Sequence, residues 1–185
     1  MIKLKEVSEI KFCLSSNAKE SLDIENVKMI TPSNLLENNT ILELIDNDKY
    51  IIDKNSQIIN QDIIIKRISP SFINYIGQIE NDVYGAGNLI IIRCRGIYPK
   101  YLAYLLNINI KKIIDSYSGS SIPSIGRKDI EEFEIINIPF EEQKHIGNLW
   151  FLNLELSKMK QKLLELEKEK TNTLLKEYIK TIGGK

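Results

Sequence analysis

The chain changes its hydrophobic rhythm at Pro139. Before that point, short isoleucine-rich runs alternate with polar turns, a pattern that predicts strands interleaved with short helices. Residues 27–31 read as a strand stopped by Pro32, and residues 31–36 as a turn entering a helical turn with Ser33 as its cap. Residues 50–52 and 57–59 flank a polar turn at 53–56, which predicts a hairpin. Residues 62–68 are rich in β-branched side chains and stop before Pro70, and residues 72–79 and 88–94 are two further strand candidates. Unbroken isoleucine runs of this kind suit strands buried on both faces. Helices follow. Pro99 opens one over 99–106, where its missing N–H costs nothing, and residues 110–117 read as a shorter second helix. A polar loop at 118–126, helical turns within 127–133 and a last strand at 134–138 complete this part. The predicted fold class is α+β, a mixed α/β domain over 1–140 followed by one long helix over 141–185.

The second stretch has no proline, and Gly147 is its only glycine before the Gly183-Gly184 pair. Glu141 and Glu142 suit the positive end of a helix dipole, and the terminal glycines suit a helix stop. Leu149, Leu152, Leu156, Met159, Leu163 and Leu166 recur at alternating steps of three and four, which is a heptad seam. The seam breaks at Lys170 and Thr173 and resumes, shifted, at Leu174, Tyr178 and Ile182. Such a shift locally unwinds a supercoil. At 1.5 Å per residue, about forty residues make a rod of roughly 60 Å, longer than a domain of this size can cover. The seam is satisfied either by a second copy across a two-fold axis, forming an antiparallel coiled coil, or by folding back on its own domain.

Composition and charge narrow the function. With 43% hydrophobic and 27% charged residues in 185, the chain has the make-up of a packed domain plus an extended element. No apolar run reaches the length of a membrane span, and the opening Met1 to Glu6 lacks the apolar core of a signal peptide, so a cytoplasmic protein is expected. There Cys13 and Cys94 stay thiols, read as small buried hydrophobes. Two thiols and one histidine do not make a structural zinc site. Lysine plus arginine and aspartate plus glutamate both total 25, so the chain is formally neutral. Proteins held to DNA chiefly through phosphates are plainly basic. DNA binding here therefore requires a local basic patch or a basic partner. No P-loop, methylase tetrapeptide, glycine-rich S-adenosylmethionine loop or nuclease cluster is recognisable, so no catalytic residue is assigned and the chain is expected not to be an enzyme.

The segment Ser118-Gly119-Ser120-Ser121-Ile122-Pro123, then Asp129-Ile130, then Ile136-Asn137-Ile138-Pro139 followed by Glu142-Gln143 and Ile146, resembles the end of a target-recognition domain in type I restriction–modification specificity subunits. Upstream, Ile2 to Val7, Val27 to Leu35, Gln61-Asp62-Ile63, Asn88 to Arg95 and Pro99-Lys100-Tyr101-Leu102 resemble further family segments in the same order. Two departures stand out. Typical members carry two recognition domains and two spacer helices, and this chain has one of each. Gln61 also replaces a usual glycine. The resemblance implies a half-length subunit working as a homodimer on double-stranded DNA. Each head would read half of an inverted repeat through the major groove, with the helix pair as a ruler. It also implies partner methyltransferase subunits that bring S-adenosylmethionine and flip out adenine. A motor–nuclease subunit is a further partner. This chain itself would hold no cofactor and no metal.

Candidate DNA contacts follow from this frame, each with a plainer alternative. Lys66, Arg67 and Ser69 lie at a strand end. Arg93 and Arg95 share a strand face, either toward DNA or opposite acids within the domain. Tyr84, with Gly85 and Gly87, is expected in a polar loop. Tyr117, Ser118, Gly119, Ser120 and Ser121 offer hydroxyls and backbone N–H groups, and Arg127 and Lys128 stand at a helix start. For the 66–69 strand end, the 117–121 loop and the helix start at 127–128 the alternative is ordinary solvated surface. His145 reads as packing or partner contact, and Trp150 as packing of the helix on the domain. Two other readings stay open: a coiled-coil adaptor that binds no DNA, and a spare half subunit that exchanges with another.

Overall fold

The computed structural model describes residues 1–13, 21–22, 27–37, 45–47, 52–79, 82–115 and 123–183. It divides into two compact units, Met1–Trp150 and Phe151–Lys185. In chain order the elements are β1 (Ile2–Lys3), α1 (Leu4–Val7), β2 (Ser8–Phe12), β3 (Ser21–Leu22), β4 (Val27–Ile30), β5 (Ile45–Asn47), β6 (Ile52–Asp53), β7 (Gln57–Ile58), β8 (Ile63–Lys66), β9 (Ile73–Tyr75), β10 (Val83–Gly85), β11 (Leu89–Cys94), α2 (Pro99–Asp115), α3 (Arg127–Glu131), β12 (Glu134–Ile135) and α4 (Phe140–Gly183). Single 3-10 turns follow β4 and β6.

Two four-stranded sheets form the first unit. One has the order β2-β11-β8-β9, all antiparallel. The other is β5-β4-β10-β7, with β4 and β10 parallel. Ile64, Leu89 and Ile91 of the first sheet meet Ile30, Ile58 and Val83 of the second in one buried cluster with Cys13. The alternate residues Ile63, Ile65, Ile90 and Ile92 are also fully buried, and α2 packs on β9 and β11. So β8 and β11 are covered on both faces, as their unbroken isoleucine runs predict. Burial pushes the Cys13 thiol up to about 12, which keeps it protonated and inert at neutral pH.

Four local expectations change. The predicted hairpin at 50–59 does not form. Asp53 caps a 3-10 turn by accepting from Asn55 N at 2.9 Å, and the chain then leaves one sheet for another: β6 pairs with β3, and β7 with β10. Burying Ile58 between the sheets outweighs closing the local turn. Residues 99–115 are one helix, because Asn107, Ile108 and Asn109 each cost a helix interior under about 1 kcal/mol and neither glycine nor proline interrupts them. Thr31 rather than Ser33 stands at the N-cap after β4, where its N–H donates to Asn34 Oδ1 at 2.7 Å. The last strand shortens to β12, paired with β1.

Gln61 has φ +70, the left-handed conformation that glycine adopts freely. Its N–H donates to the Ile76 carbonyl at 3.0 Å, which holds the turn before β8 despite the missing glycine. No helix among the described residues is long and apolar enough to cross a membrane.

Candidate nucleic-acid interface

The register of the first sheet sets up its cationic edge. Phe12 stands opposite Ile90, and Ile90 opposite Ile65, so the three form one row on one face. Arg67 lies two residues past Ile65 and stays on that face. Its Nε donates to the Ile125 carbonyl at 3.0 Å, and its guanidinium lies 5.8 Å from the centre of the Phe12 ring. Arg127, the first residue of α3, brings its guanidinium to 4.5 Å from the same ring and pairs with Glu131 at 3.2 Å. The Nζ of Lys66 lies 5.4 Å from the Phe72 ring.

Backbone bonds stitch this edge to the chain that leads into α3. Ser69 N donates to Pro123 O at 3.1 Å and Ile125 N to Arg67 O at 2.9 Å, while Ile68 bridges to Ser124. Lys66, Arg67, Ser69 and Arg127 are thereby gathered, with Lys128 exposed beside Arg127. Tyr117, Ser118, Gly119, Ser120 and Ser121 lie outside the described residues.

Arg93 and Arg95 resolve differently. Asp62 is 1% exposed, and Arg93 meets it with two bonds, Nε to Oδ1 at 3.0 Å and Nη2 to Oδ2 at 2.8 Å. The same Nη2 donates to the Gln57 carbonyl at 3.1 Å, tying β11 to β7 of the other sheet. Of the two alternatives for Arg93, the internal acid is the one realised, and its hydrogen-bonding edge is taken up within the domain. Arg95 pairs with Glu9 at 2.7 Å while its side chain stays 68% exposed. That bond holds the Glu9 carboxyl below its usual range. In register Arg93 faces Glu9 and Ile90 faces Phe12, so this pair sits about 10 Å along the sheet from the Phe12 edge.

Tyr84 corrects the loop expectation. It sits in β10, 6% exposed and packed on Val27, because pairing with β4 and β7 on both sides draws this segment into the sheet. Burial raises its phenol and leaves it little surface to offer DNA. Gly85 follows in the same strand, where a Cβ would come 2.8 Å from Cys13 Sγ.

The junction into α4 is built by residues that gave a weaker signal. Gln143 is 3% exposed; its Oε1 accepts from Tyr98 N at 2.9 Å and its Nε2 donates to Ile138 O at 2.8 Å. A Cβ on Gly147 would stand 2.6 Å from Tyr101 N, so this glycine is what lets α4 approach the start of α2. Tyr98 packs edge-on against Phe140 and Tyr104 against Trp150, the packing expected of Trp150. The first compact unit runs from Met1 to Trp150. His145 is exposed.

Along the rest of α4 the seam is open. Leu149, Leu152, Leu156, Met159, Leu163, Leu166, Leu174, Tyr178 and Ile182 are all between 48% and 66% exposed. Leu164, Leu175 and Ile179 are exposed as well.

Phe12 was not legible as a site residue. It sits in an alternating strand, and only the tertiary fold brings Arg67 and Arg127 to its ring. Asp62 likewise carried no sign of its partner. Among the described residues, no cluster of His, Cys, Asp or Glu is arranged to hold a metal ion.

Comparison with known proteins defines the class as a DNA-specificity chain. The protein belongs to the type I restriction modification DNA specificity domain family, whose profile matches residues 1–176. Among the solved structures that share its fold are three from type I systems. One comes from work on complex assembly and conformational transition of the type I R-M system, with TM-score 0.65, 16% identity, and coverage of 91% of this chain and 41% of that one. The HsdS subunit from Thermoanaerobacter tengcongensis aligns with TM-score 0.55 and 14% identity over 91% of this chain and 38% of its own. The type I S subunit from M. genitalium gives 0.57 and 18% over 91% and 43%. The chain thus spans about two fifths of each relative's length. No curated protein matches it.

Proposed function

We propose that this chain supplies the DNA address to a type I restriction–modification complex and does no chemistry itself. One observation carries the reading. A domain of the specificity family is continued into a long helix whose leucine seam is exposed along its heptads. A seam of that kind is stable in water only against another helix. A second copy related by a two-fold axis is one such partner and would set two recognition domains on one helix pair.

Identical heads in such a pair read an inverted repeat, with a gap set by the helices. Methyltransferase subunits docked on the pair transfer methyl groups from S-adenosylmethionine to adenine within that target, and a motor–nuclease subunit adds cleavage where one joins. The local cationic edge at Phe12 supports DNA contact in a chain that is neutral as a whole.

The test is a methylome of cells expressing this chain with the methyltransferase encoded beside it. A bipartite inverted-repeat motif, absent when the chain is deleted, is the expected result. Methylation that persists without the chain, or a motif whose halves differ, overturns the reading.

A further inference from the structure

We propose that Arg67 and Arg127, held against the two sides of one strand-to-helix edge by the Phe12 ring, form a clamp for the DNA phosphate backbone that seats the domain on the duplex without reading bases. The proposal rests on the DNA-recognition reading above and assigns a task to one part of that surface.

Three features of the site argue for it. First, two guanidinium groups share one aromatic ring, at 5.8 and 4.5 Å from its centre. The electron-rich ring attracts each cation and limits its rotation, so both are arranged before any ligand arrives. Secondly, the edge concentrates positive charge against its own repulsion. Lys66 precedes Arg67 and Lys128 follows Arg127, and the single ion pair formed by these four side chains among the described residues is Arg127 with Glu131. That pair lies at the surface, with the arginine exposed and the glutamate half-buried, and gives way readily to a stronger anion. The residues up to Phe140 carry a net negative charge, so the fold has gathered these cations locally rather than by abundance. An incoming phosphodiester, with two acceptor oxygens per charge, matches the guanidinium fork.

The third feature separates phosphate from base. Reading guanine takes an arginine that extends freely into the major groove and presents its fork to O6 and N7. Arg67 has its Nε committed to the Ile125 carbonyl and its own backbone bonded at both N–H and C=O. Its Nε and its backbone are thus held at the end of the sheet, and its two Nη groups remain to donate. A restrained cation of this kind suits the regular line of phosphates, which positions a protein and carries no sequence information. Phe12 is a positioning residue in this scheme, since it acts through the two arginines.

The complex of this chain with its methyltransferase, titrated on its cognate duplex and on a random duplex at several salt concentrations, tests the clamp. Arg67→Gln and Arg127→Gln are each expected to weaken both duplexes by a similar factor, about tenfold. Each should also lower the salt slope by about 0.9, the loss of one phosphate contact. The methylated motif in cells should be unchanged. Phe12→Leu, which keeps apolar volume, should weaken binding with the salt slope preserved, and Phe12→Tyr should restore it. A motif relaxed at one base position in either arginine variant shows a base reader and overturns the clamp. Unaltered affinity and slope in variants that melt with the parent overturn it too. Arg127→Gln guards against misfolding, because Arg127 is exposed and the substitution removes one ion pair and one ring contact at the surface. A parent complex that fails to distinguish its duplexes sinks the recognition reading itself, a different outcome from either.

Discussion

Asp62 and Arg93 show how one pair of side chains settles a question of charge. A carboxylate 1% exposed, left alone, carries a desolvation cost of several kcal/mol. Arg93 meets it with two parallel bonds and adds a third to the Gln57 carbonyl, so the pair also ties the two sheets. The geometry makes removal of one partner much more costly than replacement of both. Arg93→Ala is expected to lower unfolding free energy by about 3 kcal/mol, somewhat less than for a fully buried pair because the arginine side chain is 26% exposed. Urea denaturation measures it. A change below about 0.5 kcal/mol joined to lost DNA binding assigns Arg93 to the interface instead. The same logic separates Arg95, whose exposed bond to Glu9 contributes little to stability.

Elements are joined in this protein by small polar contacts at their ends. Lys3 and Lys5, from β1 and α1, both bond Glu132 at the end of α3, while β1 pairs with β12. The hydrogen bonds from Lys3 and then Lys5 hold the Glu132 carboxyl down, from 4.5 to about 2. A carboxyl depressed in the folded state adds stability above its unfolded pKa and loses that contribution as pH falls through the folded one. Parent and Glu132→Gln should therefore differ most in melting temperature above pH 4.5, and the gap should close as pH falls toward 2. A gap independent of pH sinks this account. At the other end of the unit, Gln143 and Gly147 fix where α4 begins: one bonds the start of α2 and the other lets the two backbones meet.

At the scale of the molecule, the decisive quantity is the apolar surface left open on α4. The leucines of its seam, at 48% exposure or more, are the surface that the proposed helix pair would cover. Leu156→Lys combined with Leu163→Lys places two charges in that seam. The variant is expected to sediment as a monomer where the parent sediments as a dimer, while the first unit keeps its circular-dichroism signature. An unchanged mass removes the pairing of the rods from the proposal.

Periodic features were readable along the chain because periodicity is local. The heptad steps of α4, the doubly buried isoleucine strands β8 and β11, the proline that opens α2 and the ordered family segments each lie within a few residues of one another. The pairing of distant elements was not readable. Nothing near Asp62 points to Arg93, nor near Phe12 to Arg67 and Arg127, and the segment at 50–59 has the pattern of a hairpin although its halves belong to different sheets. Tyr84 looked like a loop residue until strands from both sides closed on it. A charge takes its partner from whatever the fold brings within bonding distance. The sequence alone therefore determined the strictly periodic elements and the family, and the tertiary structure decided how short strands pair, which cations are consumed in holding the domain together and which are left for a ligand.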